Sequence, residues 1–137
     1  MKTLTMLIAM LTLSLTAIAQ EGQNIEVTID NVVNDQGKVV IALHTTDTFM
    51  KGPGIMNLES KIVDGKVAFT FENVAPGTYA IIALHDANEN NRMDFDSGGM
   101  PKESYGMSGN DMSMGPPNFE AAKFVVGNED VSFSIRF

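Results

Sequence analysis

The chain has 137 residues, no cysteine, no tryptophan and ten methionines, and carries a formal net charge of −8 at neutral pH. That length suits one domain with a hydrophobic core of its own. The lack of cysteine excludes disulfides and cysteine nucleophiles, and the acidity argues against nucleic acid or an anionic membrane as partner.

The first residues read as a secretory signal. Lys2 supplies a positive start, residues 4–18 form an apolar stretch broken only by Thr and Ser, and Ala17-Ile18-Ala19 gives a small-x-small cleavage pattern. Residues 1–19 are therefore expected to be removed, leaving 20–137 as a single exported domain in the periplasm or outside the cell. Lys2 is the one charge lost, so the net charge moves from −8 to −9. The apolar run is short for a membrane span and lacks a basic flank, and no later segment replaces it.

Strand periodicity begins at once. Ile25, Val27 and Ile29 alternate with polar residues over 24–30, and Val39, Ile41 and Leu43 do so after the turn residues Asn34-Asp35-Gln36-Gly37. Residues 45–57, with Gly52, Pro53 and Gly54, read as a loop. Residues 58–63 and 66–72 flank Asp64-Gly65, the dipeptide of a two-residue hairpin. Ala75-Pro76-Gly77-Thr78 predicts a type II turn with positive φ at Gly77. Residues 78–85 are apolar on both faces, which predicts a central strand covered twice. Residues 121–126 and 131–137 are two further strands. The expectation is an all-β fold: an antiparallel two-sheet sandwich of about seven strands, Ig-like or transthyretin-like, with one long irregular loop over 86–119.

That loop opens on an acidic motif. Asp86, Asn88, Asn90 and Asp94 occupy positions 1, 3, 5 and 9 of a calcium-type loop, and Arg92 would offer its backbone carbonyl at position 7. Asn91 stands at position 6, where Gly is usual, and Asn tolerates the left-handed conformation there. Position 12 is Ser97 rather than a bidentate Glu, so a last ligand falls to Asp96, Glu103, Asp111 or water. The plainer reading is an Asn/Asp-rich turn held by side-chain-to-backbone hydrogen bonds. Calcium is the expected cofactor, bound weakly.

A rival reading uses soft ligands. Met93, Met100, Met107, Met112 and Met114 crowd the long segment, and thioethers suit Cu(I), although Met also serves as an adaptable apolar filler. His44 and His85 end two strands and would form a transition-metal site if they met near Asp86, but a histidine pair without a third firm ligand is a weak site. Such a protein would handle a soft metal or small ligand, or be a hydrolase. Against the last, no Gly-x-Ser-x-Gly elbow, phosphate-cradling Gly loop or singled-out carboxylate pair is present, so no catalytic residue is assigned and no enzyme is expected.

From about Ile25 to Phe137 several spaced motifs occur in one order: Gly37-Lys38-Val39 with Ala42-Leu43; Phe71-Glu72-Asn73-Val74-Ala75-Pro76-Gly77-Thr78-Tyr79-Ala80; His85-Asp86-x-Asn88-x-Asn90; Pro101-Lys102-Glu103-Ser104-Tyr105-Gly106-Met107-Ser108; Gly115-Pro116-Pro117-x-Phe119; and Ala122-x-Phe124. In these the chain resembles the bacterial family called domain of unknown function 2141. Ser104, Met107 and Asn91 depart from the family pattern, where Gly, an aromatic and Gly are usual. The resemblance implies an exported, sandwich-like envelope protein and no established activity; the 74–79 segment also resembles transthyretin-like and collagen-binding-B-type modules. The leading expectation is a non-catalytic binding or structural module of the envelope, in which the long loop, ordered by calcium, presents Glu103, Tyr105, Pro116, Pro117 and Phe119 to an envelope protein or small ligand.

Overall fold

A computed structural model describes residues 21–111 and 115–137; the predicted signal segment 1–19 and two methionines of the soft-metal reading, Met112 and Met114, lie outside them. Alternation decides the first strand, β1 (Gln23–Ile29), whose Ile25, Val27 and Ile29 are fully buried while the residues between them are exposed. Burying each such side chain contributes about 1.5–3 kcal/mol, so the facing register is strongly fixed. Next come β2 (Lys38–His44), β3 (Met56–Lys61), β4 (Val67–Val74) and β5 (Gly77–Asp86). The chain ends with β6 (Tyr105–Met107), the short helix α1 (Phe119–Ala122), β7 (Phe124–Val126) and β8 (Val131–Ser134).

These strands form two sheets, as the period-2 pattern predicts. One has the order β4-β1-β8, and the other β3-β2-β5-β6 with β7 also pairing β5. Between them lies the main core, including Ile25, Val27, Ile41, Leu43, Phe71 and Ile81. One pair departs from an antiparallel sandwich: β8 runs parallel to β1, with Val27 opposite Phe133. β7 belongs to the other sheet, so β8 must cross over rather than fold back on it. The crossing turn is tied down where the Asn24 amide donates to Asp130 Oδ1 at 2.8 Å.

The Asp64-Gly65 turn has positive φ at both residues, 52° and 71°, as the hairpin reading requires. Its strands nonetheless separate after a single bridge, Val63 with Lys66, and β3 and β4 enter opposite sheets. Asp35 holds the turn, accepting from the amides of Asp64 and Gly65 through its two oxygens.

Three sequence expectations are corrected here. Gly77 is not the left-handed residue of its turn; that conformation falls to Asn73 (φ 55°), inside a bulge of β4. Gly77 starts β5 instead, where a Cβ would stand 3.2 Å from the hydroxyl and 3.3 Å from the ring of Tyr79, whose hydroxyl donates to the Ala75 carbonyl at 2.7 Å. Residues 121–126 are not all strand: Asn118 caps α1 through Oδ1, accepting from the Glu120 amide, and extended structure begins at Phe124. The helical spacing places Phe119 and Ala122 together against β5. The segment 86–119 is not one loop, because β6 pairs with β5, Tyr105 opposite Leu84 and Met107 opposite Ile82. Ser108 locks that pairing, its hydroxyl accepting from the Ile81 amide (2.9 Å) and donating to the Ala122 carbonyl (2.6 Å).

Strand β5 is covered fully on its inner side and only in part on its outer side, where its composition predicts a second cover. Tyr79, Ile81 and Ala83 face the main core. On the outer side, Ala80 packs with Phe49 and Ala122, flanked by Ile82, Met107 and Phe119. The roof is therefore shared between the 45–55 loop, β6 and α1, and it ends before Leu84. Among the described residues no helix is long and apolar enough to cross a membrane.

Candidate functional site: an acidic loop beside an apolar groove

Asp86 ends β5 and is fully buried although it is a carboxylate. A buried charge requires partners, and Asp86 obtains them from the chain that follows it. Its Oδ1 accepts from the Asn90 amide at 3.1 Å and its Oδ2 from the Asn91 amide at 2.8 Å. Two nested turns continue the wrap: Asn88 Oδ1 accepts from the Asn90 amide at 3.3 Å, and Asn90 Oδ1 from the Arg92 amide at 3.1 Å. Glu89 and Asn91 adopt left-handed φ of 58° and 61°, so Asn91 performs the turn expected of position 6.

Asp94 closes the loop. The side-chain amide Nδ2 of Asn88 donates to it at 2.6 Å, and Nδ2 of Asn90 reaches both of its oxygens at 3.0 and 2.9 Å. These hydrogen bonds, Asn88 first and then Asn90, hold the Asp94 carboxyl below its usual range. Glu103 ties the two ends together, accepting from the amides of Ala87 and Asp94, each at 3.2 Å. On the far side, Gly37 (φ 69°) lies against the loop's first peptide; a Cβ there would stand 2.2 Å from the Asp86 carbonyl oxygen.

The predicted ligands thus gather in part. Asp86, Asn88, Asn90 and Asp94 form one cluster, with Glu103 beside it. Asp96 does not join: its Oδ1 accepts from the amides of Gly98 and Met100 in a turn of its own. The Arg92 side chain is 3.8 Å from Asp94 and three-quarters exposed, a surface pair of little weight. Among the described residues no three His, Cys, Asp or Glu side chains converge as a metal cluster. A cation here would rest on two carboxylates with amide and peptide oxygens. That donor set fits a hard ion such as calcium in kind, once the Asn amides turn their oxygens inward.

The histidine pair of the rival reading does not form. β2 and β5 are neighbours, but antiparallel, so His44 lies opposite Ala80 and His85 opposite Val39. Five residues of strand separate the two positions, roughly 16 Å at strand rise, and they face opposite sides of the sheet. His85 points inward, stacked on Phe137 with Nε2 at 2.8 Å from the Gln36 carbonyl. His44 lies under the outer roof, edge-on to Phe49, with Nδ1 at 3.1 Å from Thr48 Oγ1, and burial lowers its pKa.

Of the residues predicted to present a recognition surface, Phe119 packs beneath it, edge-to-face with Phe49 at 5.6 Å. Pro116 lines a small hollow of mixed polarity with Asn110 and Arg136. Tyr105 and Pro117 meet in an apolar hollow of about 220 Å³ with Met93, Phe95 and Pro101, floored by Ile82 and Leu84. A second hollow of about 430 Å³ adjoins it, sharing Ile82 and Leu84 and running on to Val40, Ala42 and Asn57. Sequence reasoning did not single out this groove. Its available signal was the doubly apolar β5, whose outer face needs more cover than the roof supplies.

Fold and site together define a two-sheet β-sandwich in which a self-closed acidic loop borders an apolar groove on one outer face. The chain belongs to the bacterial family described as "Uncharacterized protein conserved in bacteria (DUF2141)", whose model matches residues 27–134. No curated protein and no solved structure matches it.

Proposed function

We propose that this family member is an exported, non-catalytic binding module of the bacterial envelope. In this reading the loop 86–94 fixes the wall of a recognition groove, and calcium strengthens the loop. The observation that carries it is the continuity of loop and groove: Asn91 lines the larger hollow, and Met93 lines the smaller one within the same few residues. A segment that must hold such a wall without disulfides gains from a staple, and a hard cation on Asp86 and Asp94 would supply one. Export is supported by Lys2, the apolar stretch and Ala17-Ile18-Ala19.

The test is thermal unfolding of the purified protein in EDTA and in excess calcium. Affinity of the weak extracellular kind, about 10⁻⁴ to 10⁻³ M, predicts a rise of about 5–10 °C at a ten- to hundredfold excess over Kd. Asp86→Ala should abolish that rise. An unchanged wild-type curve would remove calcium from the proposal and leave the loop closed by its own hydrogen bonds.

A further inference from the structure

Two exposed large apolar residues belong to this groove: Met50 (60%) and Phe95 (58%). Both line the smaller hollow together with Ile82 and Leu84. Isolated apolar residues at a surface need no explanation, but an apolar groove with exposed aromatic and thioether walls marks a binding surface. Methionine walls suit a partner whose side chains vary, because thioethers repack at little cost.

Charge narrows the partner. The segment 86–111, which supplies Asn91, Met93, Phe95, Pro101 and Tyr105 to the groove, carries five carboxylates besides the buried Asp86, against two cations. Glu59 stands at the border of the larger hollow but is already paired with Lys38 at 2.6 Å, so the acidic rim rests on the 86–111 segment. A second copy of the chain would bring the same acidic rim and a net charge of −8 against it, and an anionic lipid surface would likewise be repelled. Two hollows joined at Ile82 and Leu84 accept two apolar anchors of one extended segment better than one compact molecule.

We infer that the groove takes a cationic polypeptide segment, two of whose apolar side chains seat in the adjoining hollows while its Lys or Arg residues face the acidic rim. This rests on reading the groove as the recognition surface, but not on calcium. The probe is a labelled model peptide of alternating Leu and Lys, with a Leu/Glu peptide as control, titrated by fluorescence anisotropy against the purified protein. The Leu/Lys peptide should bind and the Leu/Glu peptide should not. Phe95→Ser, at an exposed position, should weaken binding about tenfold at any salt concentration by removing an aromatic anchor. The double variant Glu89→Gln/Asp96→Asn should weaken it several-fold at about 0.02 M salt and very little at about 0.3 M. Asn at position 96 keeps the oxygen that holds its turn, so folding is preserved.

Equal binding of both peptides, or a groove-buried dimer in sedimentation that Phe95→Ser dissociates, would overturn the cationic partner. Binding of an uncharged apolar dye without either peptide would also overturn it, while leaving the groove as a ligand site. Failure of peptide and dye alike would overturn the groove reading itself, whatever calcium does to the melting curve.

Discussion

The two faces of β5 are built from nearly the same residue types and close in opposite ways. Inward, Ile81 and Ala83 are fully buried against the facing sheet, in a core that continues through Ile25, Val27 and Phe71. Outward, Ala80 is sealed but Ile82 and Leu84 remain half-buried beneath a roof of loop, short strand and one helical turn. A second sheet covers a face completely, because its side chains interdigitate at fixed spacing. A roof of connecting segments covers only what its few apolar residues reach. Stability therefore resides on one side of the strand and the open apolar surface on the other.

The largest effect that tests this contrast comes from a matched pair of truncations on one strand. Ile81→Ala should cost about 2–5 kcal/mol in urea unfolding, with the cavity term added to lost transfer energy. Leu84→Ala, three residues away on the half-open face, should cost about 1 kcal/mol, since little cavity forms where solvent already reaches. Equal losses would show that the outer face is as tightly closed as the core.

What was legible in the sequence follows the same division. Alternation over β1, β2 and β4 sets the inner face because burial is strictly periodic there, and the Asp64-Gly65 turn was legible because only a few residues accept two positive φ angles. That β3 and β4 would part into different sheets was not, since separation depends on Asp35 and Val32 reaching the turn from far in the chain. The parallel β8 escaped for a similar reason: pairing direction is a property of the crossover, not of the strand. In the acidic loop, the cluster of Asp86, Asn88, Asn90 and Asp94 was readable from local spacing. The roles of Glu103 and Gly37 were not, because each meets the loop from a distant segment. Reading His44 and His85 as strand ends was sound, yet an antiparallel register sends the ends of neighbouring strands to opposite poles.

A middle-sized effect tests how the loop is held to the sandwich. Gly37→Ala would set a methyl against the Asp86 carbonyl oxygen and demand φ of 69° from alanine. It should cost about 1–3 kcal/mol and loosen the loop rather than the core. Hydrogen exchange separates these: the amides of Asn90 and Asn91, which donate to Asp86, should lose protection before those of β1. Uniform loss across the protein would mean that loop and core open as one unit.

The smallest effect concerns pH, and it distinguishes the roof from the acidic loop beside it. Burial beneath Phe49 lowers the pKa of His44 below the ordinary value of 6.5, so the folded protein favours the neutral ring. The unfolded chain then binds more protons than the native state between the two pKa values. This stabilisation is fully present above pH 6.5 and is lost as pH falls from there through the folded pKa. The Asp94 carboxyl is also lowered, by the Asn88 and Asn90 amides, but its contribution is present above pH 3.8 and is lost only as pH falls below that value. Melting temperature against pH should therefore decline in two separate steps. His44→Phe should remove the upper step alone, and Asp94→Asn the lower one. A single step surviving both substitutions would place the titrating group elsewhere and unlink the roof from His44.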